Sequence, residues 1–207
     1  MSPPFALRQA LLLLALTLLF TGCSLVPERE PVRLFTLPEA ALPAASSPAQ
    51  ALTLRVDTPS AGAPLDGSRL LVMPRPGELQ AYAGARWRDD APSLLRDYLI
   101  TAFRRDGRLA AVVDDTSRAR SDATLASHLE GFHSRYHDGN PQIVIRLEVQ
   151  LLDEASREVL ASRRMEVVTA SRDESVDAVL AAFGRAADRL ARELVDWTLS
   201  QMDTRSL

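Results

Sequence analysis

The chain has 207 residues, of which 24 are basic and 27 acidic, and its formal charge of -3 gives no general electrostatic case for binding nucleic acid. An apolar fraction of 46% is ordinary for a globular protein, which excludes disorder over the whole chain. Every basic residue is arginine, and the lack of lysine excludes a P-loop lysine, Schiff-base chemistry and a pyridoxal-phosphate anchor. A binding or assembly role is therefore favoured over most enzyme classes.

Residues 1–22 have the layout of a secretory signal, with one charged residue, an apolar run from Ala10 to Phe20 and small residues after it. The run is shorter than the roughly 20 residues that span a membrane. The sequence from Leu19 to Cys23 resembles the bacterial lipobox, in which signal peptidase cuts before the cysteine, although Phe20 replaces the usual leucine. We predict that residues 1–22 are removed and that Cys23, the only cysteine, receives a diacylglycerol and an N-acyl chain. The alternative is an ordinary buried thiol after a generic signal.

Three acyl chains, at ~0.8 kcal/mol per buried CH₂, would make this anchor permanent. Ser24 stands where aspartate would retain a lipoprotein in the inner membrane, so the outer membrane, on its periplasmic face, is predicted. We divide the mature chain into a proline-containing tether (residues 23–32), a domain (33–202) and a tail (203–207). Proline stays frequent up to residue 50, which favours an extended spacer around a short strand candidate within Val32–Leu37.

The next elements are strands and a helix. Leu52–Val56 alternates on one apolar face, and Arg69–Met73 and Gly77–Tyr82 are shorter strand candidates. Asp89-Asp90, followed by a proline in the first turn, indicates a helix start, and Gly107 offers its end.

A strand at 109–113 follows, and then residues 123–136 and 141–152 are predicted to form a hairpin closed by Asp138-Gly139. The second arm of this hairpin alternates apolar and polar residues more regularly than any other part of the chain. A further strand is predicted at 158–168.

The last predicted helix carries an apolar stripe from Val176 to Trp197, and Ser171-x-x-Glu174 has the spacing of a capping box at its start. Both helices have one apolar face, so each should cover a sheet. We predict an α/β (α+β) fold with a mostly antiparallel β-sheet and two amphipathic helices packed on one face.

Three histidines, His128, His133 and His137, raise the question of a metal site. On a strand, His128 and His133 are five residues apart and are expected on opposite faces, while His133 and His137 lie ~13 Å apart. One zinc ion needs donor atoms within ~2.1 Å. We therefore predict no metal site and no cofactor.

Acid pairs at Asp89-Asp90, Asp114-Asp115 and Asp173-Glu174 are explained by helix capping and turn formation, so we predict no catalytic residues. The arginine pairs Arg104-Arg105 and Arg163-Arg164 lack interleaved aromatic residues. They are interpreted as solvated faces or partner contacts and not as a nucleic-acid groove.

The segment from Leu79 to Asp90 places Trp87, flanked by arginines, just before the first helix. One interpretation is that Trp87 packs beneath that helix. The other is a partner-binding edge formed by Tyr82, Arg86 and Trp87, since Trp, Tyr and Arg are favoured at interface hot spots. The sequence leaves both open.

The order of these elements resembles the ABC-type transport auxiliary lipoprotein family, which includes the paraquat-inducible protein C type. The resemblance extends over residues 33–202, and Leu34-Phe35 stands where the family usually has tyrosines. Its matching features are the lipobox at Cys23, Arg33–Leu37, Arg69–Pro74, Glu78–Trp87, Leu129–Phe132 and the last helix.

The resemblance implies a lipid-anchored, non-enzymatic component of an ABC-type lipid transport system. Its partners would be the membrane, through Cys23, and a mammalian-cell-entry domain protein, and homo-oligomerisation is left open. One alternative is a structural or assembly lipoprotein of the cell envelope, and another is a lipid-anchored hydrolase.

Overall fold

The computed structural model describes residues 31–46 and 49–204, so the predicted signal segment, Cys23 and the end of the tail lie outside the described part. Within these ranges the chain forms one mixed β-sheet and two helices, which confirms the α+β fold class. In chain order the elements are β1 (Arg33–Phe35), β2 (Gln50–Val56), β3 (Ser60–Ala61), β4 (Arg69–Arg75), β5 (Glu78–Trp87), α1 (Ala91–Asp106), β6 (Leu109–Asp114), β7 (Ala123–His137), β8 (Asn140–Asp153), β9 (Val159–Ala170) and α2 (Val176–Thr204).

The predicted hairpin is confirmed and forms the long antiparallel part of the sheet. Asp138 and Gly139 have φ values of 50° and 77°, the positive values that a two-residue type I′ turn requires. The turn sets the register in which β7 and β8 pair, from His137 opposite Asn140 to Ala123 opposite Asp153. β9 then pairs antiparallel with the free side of β8. We call β7, β8 and β9 the ribbon.

The other side of β7 receives the short strands, and here most pairings are parallel. β2, β3 and β4 each lie parallel to successive parts of β7, and β6 is parallel to β2. β5 pairs antiparallel with β4, and β1 lies parallel to β5 at the sheet edge. The sheet is therefore mixed: the longest ladders are antiparallel, as predicted, and the short strands add parallel pairs between distant segments.

Helix α1 begins and ends at the residues that the sequence indicates. The Asp90 carboxylate accepts a hydrogen bond of 2.8 Å from the backbone N–H of Ser93, which is the N-cap arrangement. Gly107 has φ 78°, a left-handed conformation, and its N–H donates to the Phe103 carbonyl at 3.3 Å.

The capping box predicted for α2 is wrong. Ser171 lies at the end of β9, where its backbone N–H donates to the Pro141 carbonyl at 2.8 Å, so the chain must still turn before a helix can begin. The cap is Ser175 instead, because its hydroxyl accepts from the N–H of Ala178 at 3.2 Å. Both serines can cap a helix, but Ser175 has Ala178 where a capping box has glutamate, and the strand ladder selects the second serine.

Both helices contribute to one continuous apolar core against the sheet. α2 contacts β8 and β9, α1 contacts β2 and β6, and the two helices contact each other. Alternate residues of β8 from Ile143 to Leu151 are all buried in this core, as their spacing predicts. In the part of the chain that the structure describes, neither helix is long and apolar enough to cross a membrane.

Residues 36–46, which we call the strap, do not form the extended spacer that their proline content predicts. Leu37, Ala40 and Leu42 are buried in the core beside the two helices. Pro38 lies so close to Gly184 of α2 that a Cβ there would be 2.7 Å from the proline ring. Proline stiffens this segment, but its apolar side chains pack against the helices. Burial of these side chains therefore outweighs the preference of proline for an extended, solvated spacer.

Candidate functional site

Trp87, the central residue of the predicted binding edge, lies in the core with 1% of its surface exposed. Its ring packs at 5.4 Å from Phe132 of β7 and edge-on at 5.1 Å from Phe183 of α2, measured between ring centroids. Phe132 and Phe183 are themselves 5.0 Å apart. This aromatic cluster joins β5, β7 and α2, so Trp87 is a core residue and presents no ring at the surface. The first interpretation placed it beneath the helix that it precedes, but its aromatic partners lie on β7 and on the last helix, α2.

The cluster leaves one polar atom without a partner among the described residues, the buried indole N–H of Trp87. An unsatisfied buried donor costs about 1–3 kcal/mol. The Trp87 side chain is therefore held by packing and not by a hydrogen bond, while its backbone N–H donates to the Ser68 carbonyl at 2.8 Å.

Tyr82 and Arg86 lie in different surroundings from Trp87. Tyr82 is half-buried against the core, its hydroxyl is 2.8 Å from Ser134 Oγ, and burial raises its pKa. Arg86 is exposed and points to the opposite face from Trp87, because successive residues of a strand alternate. Gly84, with φ 63°, marks the irregularity between them. The structure does not bring the three predicted residues into one surface, and a docking role here would fall to Arg86.

Arg86 instead belongs to a group of residues that sequence reasoning missed. It lies opposite Leu34 of β1 and opposite Arg69 of β4, so the three side chains share the outer face of the sheet. Both arginines are exposed, and Leu34 is 64% exposed. The register of β4 and β5 shifts between Arg69 and Leu71, so no local pattern could have shown this neighbourhood. We call Leu34, Arg69 and Arg86 the arginine row.

The strap is fastened to both helices by Asp188 of α2. Its carboxylate accepts a hydrogen bond of 2.7 Å from the backbone N–H of Ala41 and one of 2.6 Å from the hydroxyl of Tyr98. Burial, together with this bond, raises the pKa of Tyr98. Arg105 adds an ion pair of 2.7 Å with Glu39. A segment that leads toward Cys23 is thus rigidly joined to the helical layer.

A polar pocket of about 460 Å³ opens at the end of β2. Arg55 donates to three backbone carbonyls at the end of β6 and in the loop after it, including that of Ala119 at 2.7 Å. Burial and the neighbouring Asp115 raise the pKa of Asp57, which also lines the pocket. A carboxyl with a raised pKa is a candidate general acid. No histidine lines this pocket among the described residues, and Arg55 is fully used in holding the loop, so the arrangement is explained structurally.

His128 and His133 lie on the same face of the sheet, and not on opposite faces as their spacing in sequence predicts. A bulge between Leu129 and Gly131 shifts the register, so His128 opposite Glu148 and His133 opposite Val144 share one face of the sheet. Four residues of β8 still separate them by ~13 Å. His128 contacts Ser60 Oγ at 2.9 Å. No cluster of three or more metal-ligating side chains occurs within residues 31–46 and 49–204.

The acid pairs act as caps and turn ligands where the structure describes them. Asp114 accepts from the N–H groups of Thr116 and Ser117 at 3.0 and 2.9 Å, and the Thr116 hydroxyl and these amides lower its pKa. Asp173 accepts from the N–H of Ser175 at 2.9 Å. With Asp90 at the start of α1, each pair has a structural use.

Residues 35–195 match the model of the family described as the ABC-type transport auxiliary lipoprotein component. The chain belongs to this family. The resemblance drawn from the sequence is thereby confirmed. The description of the family is that of a lipoprotein component of ABC-type transport.

Two known proteins are similar to this chain over most of its length. The crystal structure of protein XCC0632 from Xanthomonas campestris is 35% identical, has a TM-score of 0.78, and the match covers 84% of this chain and 99% of that one. Protein bll6063 from Bradyrhizobium diazoefficiens is 30% identical over 149 residues, or 71% of this chain. The chain spans 39% of that curated relative.

Proposed function

We propose that this chain is a non-catalytic auxiliary component of an ABC-type lipid transport system, held on the periplasmic face of the outer membrane by acylated Cys23. In this role it docks onto a mammalian-cell-entry domain protein of the same system. The observation that carries the proposal is the family match over residues 35–195.

The anchor is supported by the sequence around Cys23 and by where the folded part begins. Strand β1 starts ten residues after Cys23, and the compact unit begins at Val32. A short tether leads directly into a sheet edge, which suits a domain that works close to the membrane. Ser24 after the cysteine supports sorting to the outer membrane.

A binding role is supported by how the described polar side chains are used. The carboxylates of Asp90, Asp114 and Asp173 bind backbone N–H groups, and Arg55 binds backbone carbonyls. Asp114 and Asp173 also accept from the hydroxyls of Thr116 and Ser175, but each of these contacts lies within its own turn, two residues apart in sequence. Side chains already engaged in the fold favour a protein that acts by docking.

The test is co-purification from detergent-solubilised envelope with an affinity tag placed after Leu207. The proposal expects a mammalian-cell-entry domain protein, with the permease and ATPase of its system, to be recovered with the chain. A Cys23→Ala variant is the matched control, because an unanchored chain should recover much less of these partners. Recovery of the folded, acylated chain without any of them would contradict the proposal and favour a structural or assembly lipoprotein. Turnover of a generic ester would favour a hydrolase.

A further inference from the structure

The arginine row has an unusual arrangement of charge. Arg69 and Arg86 lie directly opposite each other on antiparallel strands, where like charges destabilise a sheet. Neither has a carboxylate within ion-pair distance in the described residues. The nearby Arg33 and Arg88 are paired with Asp177 and Asp89 at 2.9 and 2.8 Å. The two arginines of the row therefore remain as free, concentrated positive charge.

Two arginines elsewhere on the outer face of the sheet are neutralised by glutamates. Arg146 lies opposite Glu166 and binds it at 3.0 Å, and Arg164 binds Glu130 at 2.7 Å. The ribbon thus places a carboxylate beside each of these guanidinium groups. The row departs from that arrangement, and an anion from outside the described chain would remove the repulsion.

Exposed apolar side chains lie beside the free charge. Leu34 is 64% exposed within the row, and Val32, directly before β1, is 51% exposed. Guanidinium groups next to exposed aliphatic side chains match the lipid headgroup region, where charge meets phosphate and apolar groups enter the acyl boundary. A free soluble anion would contact the guanidinium groups but would not cover the two exposed aliphatic side chains.

The position of the row along the chain identifies the occupant. Ten residues separate Cys23 from β1, so even a fully extended tether spans at most about 36 Å. If Cys23 is acylated, which is part of the proposed function on which this inference rests, β1 begins within that distance of the bilayer surface, and the row lies on β1 and the two strands next to it. The strap joins this corner to both helices, so contact at the row orients the whole described domain.

We propose that Leu34, Arg69 and Arg86 form a membrane-apposed surface that binds the headgroups of anionic phospholipids. The acyl chains alone are sufficient to hold the protein on the membrane, so this contact is not needed for anchoring. It fixes which side of the domain faces the bilayer and which side faces a partner. Each arginine near an anionic surface contributes roughly fivefold in binding, so the pair should shift the ratio of apposed to free domains about thirty-fold.

The test uses the acylated full chain in vesicles of phosphatidylcholine, with or without phosphatidylglycerol. Because acylation consumes the Cys23 thiol, an Ala83→Cys substitution on exposed β5 provides a unique site for a fluorophore. A nitroxide on the lipid headgroup then reports contact by quenching. We expect strong quenching with phosphatidylglycerol, and loss of it in Arg69→Glu/Arg86→Glu, in phosphatidylcholine alone, and at high salt.

The matched control is Arg118→Glu/Arg120→Glu, which makes the same charge change in the exposed loop after β6, at the other end of the strand order. This control should keep the parental quenching. Equal quenching in the row variant and the parent would overturn the inference. So would weak quenching in both, combined with loss of a co-purified protein from the row variant, because the occupant is then a protein. Flotation of the chain with vesicles reports acylation separately, so failure of the anchor is distinguished from failure of the row.

Discussion

The ribbon differs in its charge pairing from the corner formed by β1, β4, β5 and the strap. On the ribbon, Arg146 and Arg164 are each paired with a glutamate. At the corner, Arg69 and Arg86 face each other without one, and Leu34 is exposed. The ribbon with α2 forms a frame that supplies stability. The corner carries the groups that the fold leaves available for binding, and it lies nearest in sequence to Cys23.

The largest expected effect comes from removing the helix that covers the ribbon. A chain truncated after Ala170 lacks α2 and exposes the apolar face of β8 and β9, so we expect it to aggregate and to lose its cooperative melting transition. A chain ending at Asp203 is the control and should melt like the parent. A soluble Ala170 truncation that melts cooperatively at the parental temperature would show that the frame is not where stability lies.

Trp87 connects the two regions, so its truncation separates packing from docking. We expect Trp87→Ala to lower the free energy of unfolding by ~3–5 kcal/mol, because it leaves a cavity beside the rings of Phe132 and Phe183. Trp197→Ala, at a half-buried position of α2, should cost less. Urea unfolding gives these values, and co-purification on the folded fraction gives partner binding. Weakened binding with little change in stability would instead make Trp87 a docking residue.

The attachment of the strap is tested at Gly184. A methyl group there meets Pro38 at 2.7 Å, so Gly184→Ala should destabilise the fold by ~1–3 kcal/mol even though alanine favours a helix. Proteolysis within residues 36–46 should become faster as the strap detaches. Combining it with Pro38→Ala removes the clash and should restore most of the loss. A Gly184→Ala chain as stable as the parent would mean that the strap does not bind α2 here.

His133 gives the smallest expected effect, a pH dependence of the outer face. Burial, followed by Arg146 and Arg135, lowers its pKa below 6.5, so the unfolded chain binds the proton more readily than the folded one. Stability from this group is complete above the unfolded pKa and is lost as the pH falls below about 6.5 toward the lower pKa of the folded state. His133→Gln should flatten the melting temperature over this range, and His137→Gln should not. Identical pH profiles for the parent and His133→Gln would refute this origin.

Much of the frame could be predicted because its signals are local. Alternation along β8, the Asp138-Gly139 turn, the Asp90 cap and the stripe of α2 each lie within one segment, and each is confirmed. The start of α2 was misplaced because Ser171 and Ser175 offer the same local chemistry. The choice between them depends on a strand ladder that no short window contains.

The corner could not be predicted in the same way, because its structure depends on contacts between distant segments. Leu34 and Arg86 pair although they are about 50 residues apart in sequence. The pairing of Arg69 with Arg86 lies beside a register shift that the sequence does not reveal. The sequence around Trp87 predicts a binding edge on β5, which does carry Arg86, but Trp87 itself lies on the inner face of that strand. The prolines of the strap favour the prediction of an exposed spacer. The apolar residues Leu37, Ala40 and Leu42 are the signal in the sequence that indicates burial instead.

The central claim is that this domain works from a lipid anchor at Cys23. The most direct measurement is the mass of the N-terminal peptide of the mature chain isolated from the cell envelope, with labelled palmitate incorporation compared between the parent and Cys23→Ala. The account predicts a peptide that begins at Cys23 and carries a diacylglycerol and an N-acyl chain, and no label on the variant. A chain that retains residues 1–22, or that begins at Cys23 with a free thiol, would contradict it.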